Sequence, residues 1–90
     1  MTQVATGGAP VLLTSSGIVS NIPGTLIGFY VNSTSSGTVI VKDGVVTGAT
    51  AITGTITPAI GWQQCNMQCS TGCYITIGST INATFIFQPG

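Results

Sequence analysis

Side chains that could carry acid–base chemistry are almost absent from this sequence. Lys42 is its one basic residue, Asp43 is its one acidic residue, and it has no histidine. General acid–base catalysis usually relies on His, Glu, Asp or Lys, and a serine nucleophile needs a neighbouring base. Adjacent residues of a strand point to opposite faces, so Lys42 and Asp43 are not expected to act together. We therefore predict that the chain is not an enzyme and has no catalytic residue.

The two charged residues have simpler interpretations. Asp43 precedes Gly44, and an Asp-Gly pair is typical of a turn between strands. Lys42 is interpreted as a solvated charge that protects a sheet edge or contacts a neighbouring subunit.

The cysteines Cys65, Cys69 and Cys73 have the spacing C-x3-C-x3-C. Zinc sites usually combine a close cysteine pair with a second pair or with histidines, and no fourth ligand is evident here. In an extended strand Cys65 and Cys69 would lie about 13 Å apart, too far for a disulfide unless the chain bends between them. We interpret all three as small core residues in a reducing compartment. A disulfide stays open, and no metal or cofactor site is predicted.

Aromatic side chains are the remaining candidates for recognition. An exposed Trp or Tyr with Asn and Gln nearby can form a sugar-binding platform or an interface anchor. Tyr30 lies opposite the apolar face of its predicted strand, and Trp62 precedes the polar pair Gln63-Gln64. We expect most of the six aromatic residues to be core residues, with Tyr30 or Trp62 exposed.

The elements that must position these side chains are predicted to be strands. Thr, Val and Ile are abundant, and turn signals recur about every 8 to 12 residues, which is typical of all-β domains. We predict an arm over residues 1–9 and a single domain over 10–90, an antiparallel β-sandwich or jelly-roll-like barrel of six to eight short strands. The predicted strands are 10–14 with a continuation through 18–19, 25–33, 38–42, 51–57, 60–69, 73–77 and 82–88.

Composition also limits the partners. Charged residues make up 2% of the chain, whereas about a quarter is usual. Without a basic patch, neither nucleic-acid binding nor a polybasic membrane anchor is expected, and no apolar run is long enough to span a bilayer. Residues 1–8 lack the positive region and apolar core of a signal peptide. Such a weakly charged surface is typical of subunits packed against other subunits.

From about Ser15 onward the chain resembles small β-rich structural proteins of tailed bacteriophages. The resemblance is carried by an ordered series of segments: Ser16-Gly17-Ile18-Val19, Pro23-Gly24-Thr25-Leu26, Tyr30-Val31-Asn32-Ser33, Ser36-Gly37-Thr38, Val41-Lys42-Asp43-Gly44, Ile56-Thr57-Pro58-Ala59, Ser70-Thr71-Gly72-Cys73-Tyr74-Ile75-Thr76-Ile77-Gly78 and Asn82-Ala83-Thr84-Phe85. It implies a virion component, and it implies no catalytic residue.

These observations lead to one main expectation and one alternative. The main expectation is a capsid decoration or cement protein, assembled in the host cytoplasm, that binds the major capsid protein on the outside of the head as a homotrimer. Residues 1–9 are then the candidate for reaching an adjacent subunit. The alternative is a tail-fibre or receptor-binding module that recognises host-surface glycans through Tyr30, Trp62 or Tyr74.

Overall fold

The computed structural model describes residues 9–89, and these residues form six β-strands and no helix. The strands are β1 (Ala9–Leu13), β2 (Gly17–Ser20), β3 (Gly24–Asp43), β4 (Thr50–Ala51), β5 (Gly61–Cys69) and β6 (Cys73–Pro89). All of their pairings are antiparallel. The predicted all-β class is confirmed.

A long ribbon of two strands organises the sheet. β3 has 20 residues and β6 has 17, and they pair along their whole lengths, from Gly24 opposite Pro89 to Asp43 opposite Cys73. β1 and β2 pair with the other edge of β6, while β5 and β4 pair with the other edge of β3. The result is one open sheet that does not close into a barrel.

The ribbon must fold back on itself. A straight strand of 20 residues would be about 65 Å long, whereas the longest dimension of the molecule is 40 Å. Gly24 pairs with Cys69 at one end of β3, and Asp43 pairs with Cys73 at its other end. Because only the turn 70–72 separates these two cysteines, the ends of β3 lie close together. The sheet therefore forms two layers joined by the bend in the ribbon.

We name the layers by their strands. Layer A contains β1, β5 and the parts of β3 and β6 at 24–31 and 83–89. Layer B contains β2, β4 and the parts of the same two strands at 38–43 and 73–78.

The bend lies where both long strands depart from regular geometry. Ser36 and Ser79 have φ angles of 54° and 56°, in the left-handed region that single residues adopt at bulges and turns. Between them Gly37 is buried, and a Cβ at this position would collide with Ile81 and lie 2.6 Å from the carbonyl oxygen of Thr80. A glycine is required here because the two strands of the ribbon approach closely.

One apolar core is shared by both layers. Phe29 and Phe85 contact each other in it, with ring centroids 4.9 Å apart. Alternation along the predicted last strand places Ala83, Phe85 and Phe87 on one face, and all three are buried. The buried core residues are Val19, Leu26, Phe29, Val31, Val39, Val41, Cys69, Cys73, Ile75, Ile81, Ala83, Phe85 and Phe87.

Several local predictions need correction. Residues 34–37 and 78–79, which the sequence presents as loop and turn, lie within β3 and β6. The predicted strand 51–57 is reduced to β4 and a single bridge between Val39 and Ile56. The strands therefore number six, but two of them are long instead of short.

Two positions near the start of β3 also differ from expectation. Strand alternation over 25–33 predicts Leu26 on the less apolar face, with Gly28 and Tyr30. Leu26 is buried instead, because a register shift between Leu26 and Gly28 reverses the alternation. The pair Pro23-Gly24 is typical of a type II turn, which predicts a positive φ at Gly24. Instead Gly24 begins β3 in extended backbone, and a Cβ there would lie 2.6 Å from the ring of Phe87. The predicted arm, residues 1–9, lies outside the described residues except for Ala9, with which β1 begins.

Candidate functional site

The outer face of layer A, directed away from the core, brings Tyr30 and Trp62 together. These residues are directly opposite each other on β3 and β5, and their side chains are 48% and 45% exposed. Side chains directly opposite on adjacent strands lie within contact distance. The exposure expected from the sequence is therefore found for both aromatic residues.

A single row of residues crosses all four strands of layer A. Leu12 is opposite Thr84, Thr84 is opposite Tyr30, and Tyr30 is opposite Trp62. With strands about 4.8 Å apart, this row extends over about 14 Å. It gives the outer face of layer A a central apolar stripe.

The indole ring of Trp62 lies over Gly28 on the neighbouring strand. A Cβ at Gly28 would lie 2.6 Å from Cζ2 and 2.9 Å from Cη2 of Trp62, so this edge of the ring covers the backbone of the glycine. Gly28 is buried although it lies on the outer face, which is the consequence of this cover. The side chain of Trp62 is therefore packed against the sheet on one side and remains nearly half exposed.

A ladder of neutral amides fixes the polar edge of the indole. The Trp62 Nε1–H donates to Oε1 of Gln64 at 2.9 Å, and Nε2 of Gln64 donates to Oδ1 of Asn66 at 2.9 Å. Asn66 has a φ of 55° and sits in the bulge of β5 opposite the register shift of β3. Trp62, Gln64 and Asn66 are exposed and alternate with less exposed residues of β5, so the three side chains follow one another along one face, and they form the aromatic-amide site with Tyr30.

Tyr74, the third aromatic candidate, is not part of this site. It lies in layer B, where it is half-buried and paired with Lys42, and its hydroxyl lies 2.9 Å from the Thr47 hydroxyl. Two residues were missed by sequence reasoning: Asn66, which belongs to the aromatic-amide site, and Gly28, which lies beneath Trp62. The spacing of Trp62, Gln64 and Asn66 by two residues was the available signal, because such residues share one face of a strand.

Both charged side chains lie in layer B and hold turns in place: Asp43 the turn that joins β5 to β6, and Lys42 the turn after β3. Asp43 accepts backbone N–H groups of Thr71 at 2.8 Å and Ser70 at 3.0 Å, and these bonds hold its pKa below the ordinary value. Nζ of Lys42 donates to the carbonyl oxygen of Thr47 at 2.6 Å. The turn interpretation of Asp43 fits this geometry. Lys42 also binds a turn within its own chain.

The cysteines lie near one another but remain free thiols. Cys69 and Cys73 are buried core residues, and Cys65 is half-buried. Burial raises the pKa of all three thiols, so they are protonated and poorly nucleophilic at neutral pH. Among residues 9–89, no cluster of His, Cys, Asp and Glu side chains suits a metal ion.

Comparisons with protein-family models, with curated proteins and with solved structures find no match for this chain. The part of the chain that the structure describes contains no helix long and apolar enough to cross a bilayer. The chemistry of the surface is therefore the basis for assigning a function.

Proposed function

We propose that this chain is a structural protein of a tailed-bacteriophage particle, a decoration protein that binds the outside of the head. The observation that carries the proposal is a surface with almost no charge that also exposes large apolar side chains. A surface of this kind favours association over life as a separate molecule. The exposed large apolar residues are Leu12, Ile18, Ile22, Tyr30, Val46, Ile52, Ile60 and Trp62.

The edges of the sheet support the same assignment. β5 pairs with β3 along one edge only, and its nine residues include no charge and no proline. Proteins that remain separate usually protect such edges with lysine, proline or a covering segment. Assembly into a homotrimer and docking on capsid subunits would cover them.

The contact surface that we assign to the capsid is an aliphatic patch on layer B, composed of Ile18, Val46 and the ring of Tyr74. Ile18 is opposite Tyr74 in the sheet, and Val46 precedes Thr47, which binds the Tyr74 hydroxyl. Lys42 holds the same turn through the carbonyl oxygen of Thr47. Because the patch is already held in place, docking it costs little conformational entropy.

The proposed mechanism is mass action. A protein that binds only the mature lattice stabilises that lattice, by about 2.7 kcal/mol per site when its free concentration is 100 times the dissociation constant. Several contacts made by one trimer would multiply modest affinities through effective concentration. No chemical step on a substrate is involved.

The test is the copy number of this chain in purified phage particles, measured by quantitative mass spectrometry. We expect many copies per head, and heads that release DNA at lower temperature when the gene is deleted. Absence of the chain from purified particles would overturn the proposed function.

A pair of charge variants tests the contact surface. Val46→Asp places a carboxylate in the aliphatic patch and is expected to lower head occupancy about tenfold, since burying an unpaired charge is costly. Thr55→Asp adds the same charge at an exposed position outside the patch and should leave occupancy unchanged. If the two variants occupy heads equally, the aliphatic patch is not the capsid contact, and the proposed function itself is unaffected.

Residues 1–8 are assigned to contact with an adjacent subunit. Their removal leaves β1 whole, so we expect an unchanged fold by circular dichroism and weaker attachment to heads. Unchanged occupancy of the truncated chain would count against this role.

A further inference from the structure

The aromatic-amide site on layer A has the properties of a binding site for a neutral carbohydrate. The ring of Trp62 covers Gly28, and its rotation is restricted by the hydrogen bond to Gln64. An aromatic ring in this position offers a preformed flat surface, and it loses little freedom when a ligand stacks on it. The C–H face of a pyranose ring matches such a surface in shape and polarity.

Unused hydrogen-bonding groups surround the ring. Nδ2 of Asn66 has no partner among the described residues, and the Gln64 amide uses one of its two N–H donors within the ladder. The Tyr30 hydroxyl is likewise without a partner in the part of the chain that the structure describes. Amide and hydroxyl groups at the rim of a stacked ring are suited to the hydroxyl groups of a sugar.

The absence of charge selects the kind of sugar. Lys42 and Asp43 both lie in layer B, so no ionic group of the described residues faces the aromatic-amide site. An acidic glycan would find no cation here, and a basic ligand would find no anion. No cavity opens among the described residues, so the ligand lies along a flat face.

A protein partner is favoured less by this geometry. Aromatic anchors of protein interfaces typically fill a pocket in the partner. The Trp62 ring instead packs over Gly28 and has its N–H already bonded to Gln64, so it is not free to turn into a partner's pocket.

We propose that Tyr30, Trp62, Gln64 and Asn66 bind a neutral glycan of equatorially linked pyranose units, whose rings present flat C–H faces. Trp62 stacks on one ring, Tyr30 contacts the neighbouring unit, and the two amides bind hydroxyl groups. This inference does not depend on where the protein sits in a particle.

The test is titration of the purified full chain with cellohexaose and with chitohexaose, followed by NMR of the Trp62 indole N–H and by calorimetry. We expect saturable binding of at least one of the two, insensitive to salt concentration. Trp62→Ala should weaken it at least about tenfold, and Asn66→Asp should weaken it less. Ile60→Ala, which removes an exposed apolar side chain just before β5, is the matched control and should bind as the native chain does.

Three results would overturn the inference. One is failure of both sugars to shift the indole resonance of a folded protein. Another is equal affinity of the native chain and Trp62→Ala. The third is loss of head occupancy in Trp62→Ala without any sugar binding by the native chain, which would make this face a protein contact. Trp62→Phe keeps an aromatic ring but loses the N–H donor. If it binds sugar more tightly than Trp62→Ala does, the loss of binding in Trp62→Ala is due to lost stacking and not to a disturbed fold.

Discussion

Layer A displays its polar groups outward as neutral amides, whereas layer B holds both charges of the molecule and uses them internally. Gln64 and Asn66 bond mainly to their neighbours on one strand and keep donors free. Asp43 and Lys42 instead bind the backbone of neighbouring turns, Asp43 that of the turn just before its pairing partner Cys73 and Lys42 that of the turn after β3.

The difference shows that the charged side chains and the neutral polar side chains have separate roles. The one carboxylate and the one ammonium group stabilise turns, and the remaining surface is left neutral for contacts. We propose that layer B contacts the capsid through its aliphatic patch and that layer A binds glycan through its aromatic-amide site. The following predictions test whether the layers differ as described while sharing one core.

The largest effect is expected from Phe85→Ala. Phe85 is fully buried against Phe29 in the shared core, and loss of such a ring typically costs about 4 kcal/mol of unfolding free energy. Urea denaturation followed by Trp62 fluorescence, which reports on layer A, and by thiol reactivity of Cys73 in a background with Cys65→Ala and Cys69→Ala, which reports on layer B, should give coincident transitions. Thr84→Ala, at the adjacent outward position, should cost below about 1 kcal/mol. Separate transitions for the two probes would show that the layers do not share a core.

A smaller loss is expected from Gly37→Ala at the bend. The added methyl group meets Ile81 and the carbonyl oxygen of Thr80, and overpacking of this kind costs about 2 kcal/mol. Gly54→Ala is the control, because a Cβ at Gly54 meets nothing within 4 Å. If both variants unfold at the same urea concentration, the two long strands do not approach each other closely at the bend.

The pH dependence of stability tests the role of Asp43. Its pKa in the folded chain is lower than the ordinary value of 3.8, so the unfolded chain binds more protons as pH falls. The stability that Asp43 contributes is therefore fully present above its unfolded pKa and is lost as pH falls through the folded pKa. Melting temperature should decline in this acidic range for the native chain and stay nearly flat for Asp43→Asn. Parallel curves would contradict the turn-holding role.

The smallest effect on stability is expected from Gln64→Ala. The amide ladder is exposed, so its loss should change the unfolding free energy by no more than about 0.5 kcal/mol. The same variant should weaken cellohexaose or chitohexaose binding, whichever the native chain shows. A large loss of stability would mean that the ladder supports the fold instead of forming a binding surface.

The sequence predicts which residues share a face of a strand better than it predicts which strands pair and where they bend. Alternation places Ala83, Phe85 and Phe87 on one face correctly, because side chains of a strand alternate between faces regardless of its partner. The continuity of β3 through Ser36 and of β6 through Ser79 could not be found in this way. Serine and glycine there resemble a loop, and only the partner strand shows that they form a bend.

The candidate site was found only in part for the same reason. The residue types of Tyr30 and Trp62 suggest exposure, but their pairing depends on the register between β3 and β5. The position of Trp62 over the sheet depends on Gly28, a residue distant in the sequence whose missing side chain leaves room for the ring. Neither relation is local in the sequence.

The central claim is that this neutral chain functions as a repeated subunit on a phage head. A cryo-electron microscopy reconstruction of the intact particle tests it most directly. The account predicts density for this two-layered sheet at many equivalent positions on the outer head surface, grouped in threes with layer B toward the capsid. A head without such density, together with the chain recovered as a free monomer from the host cell, would contradict it.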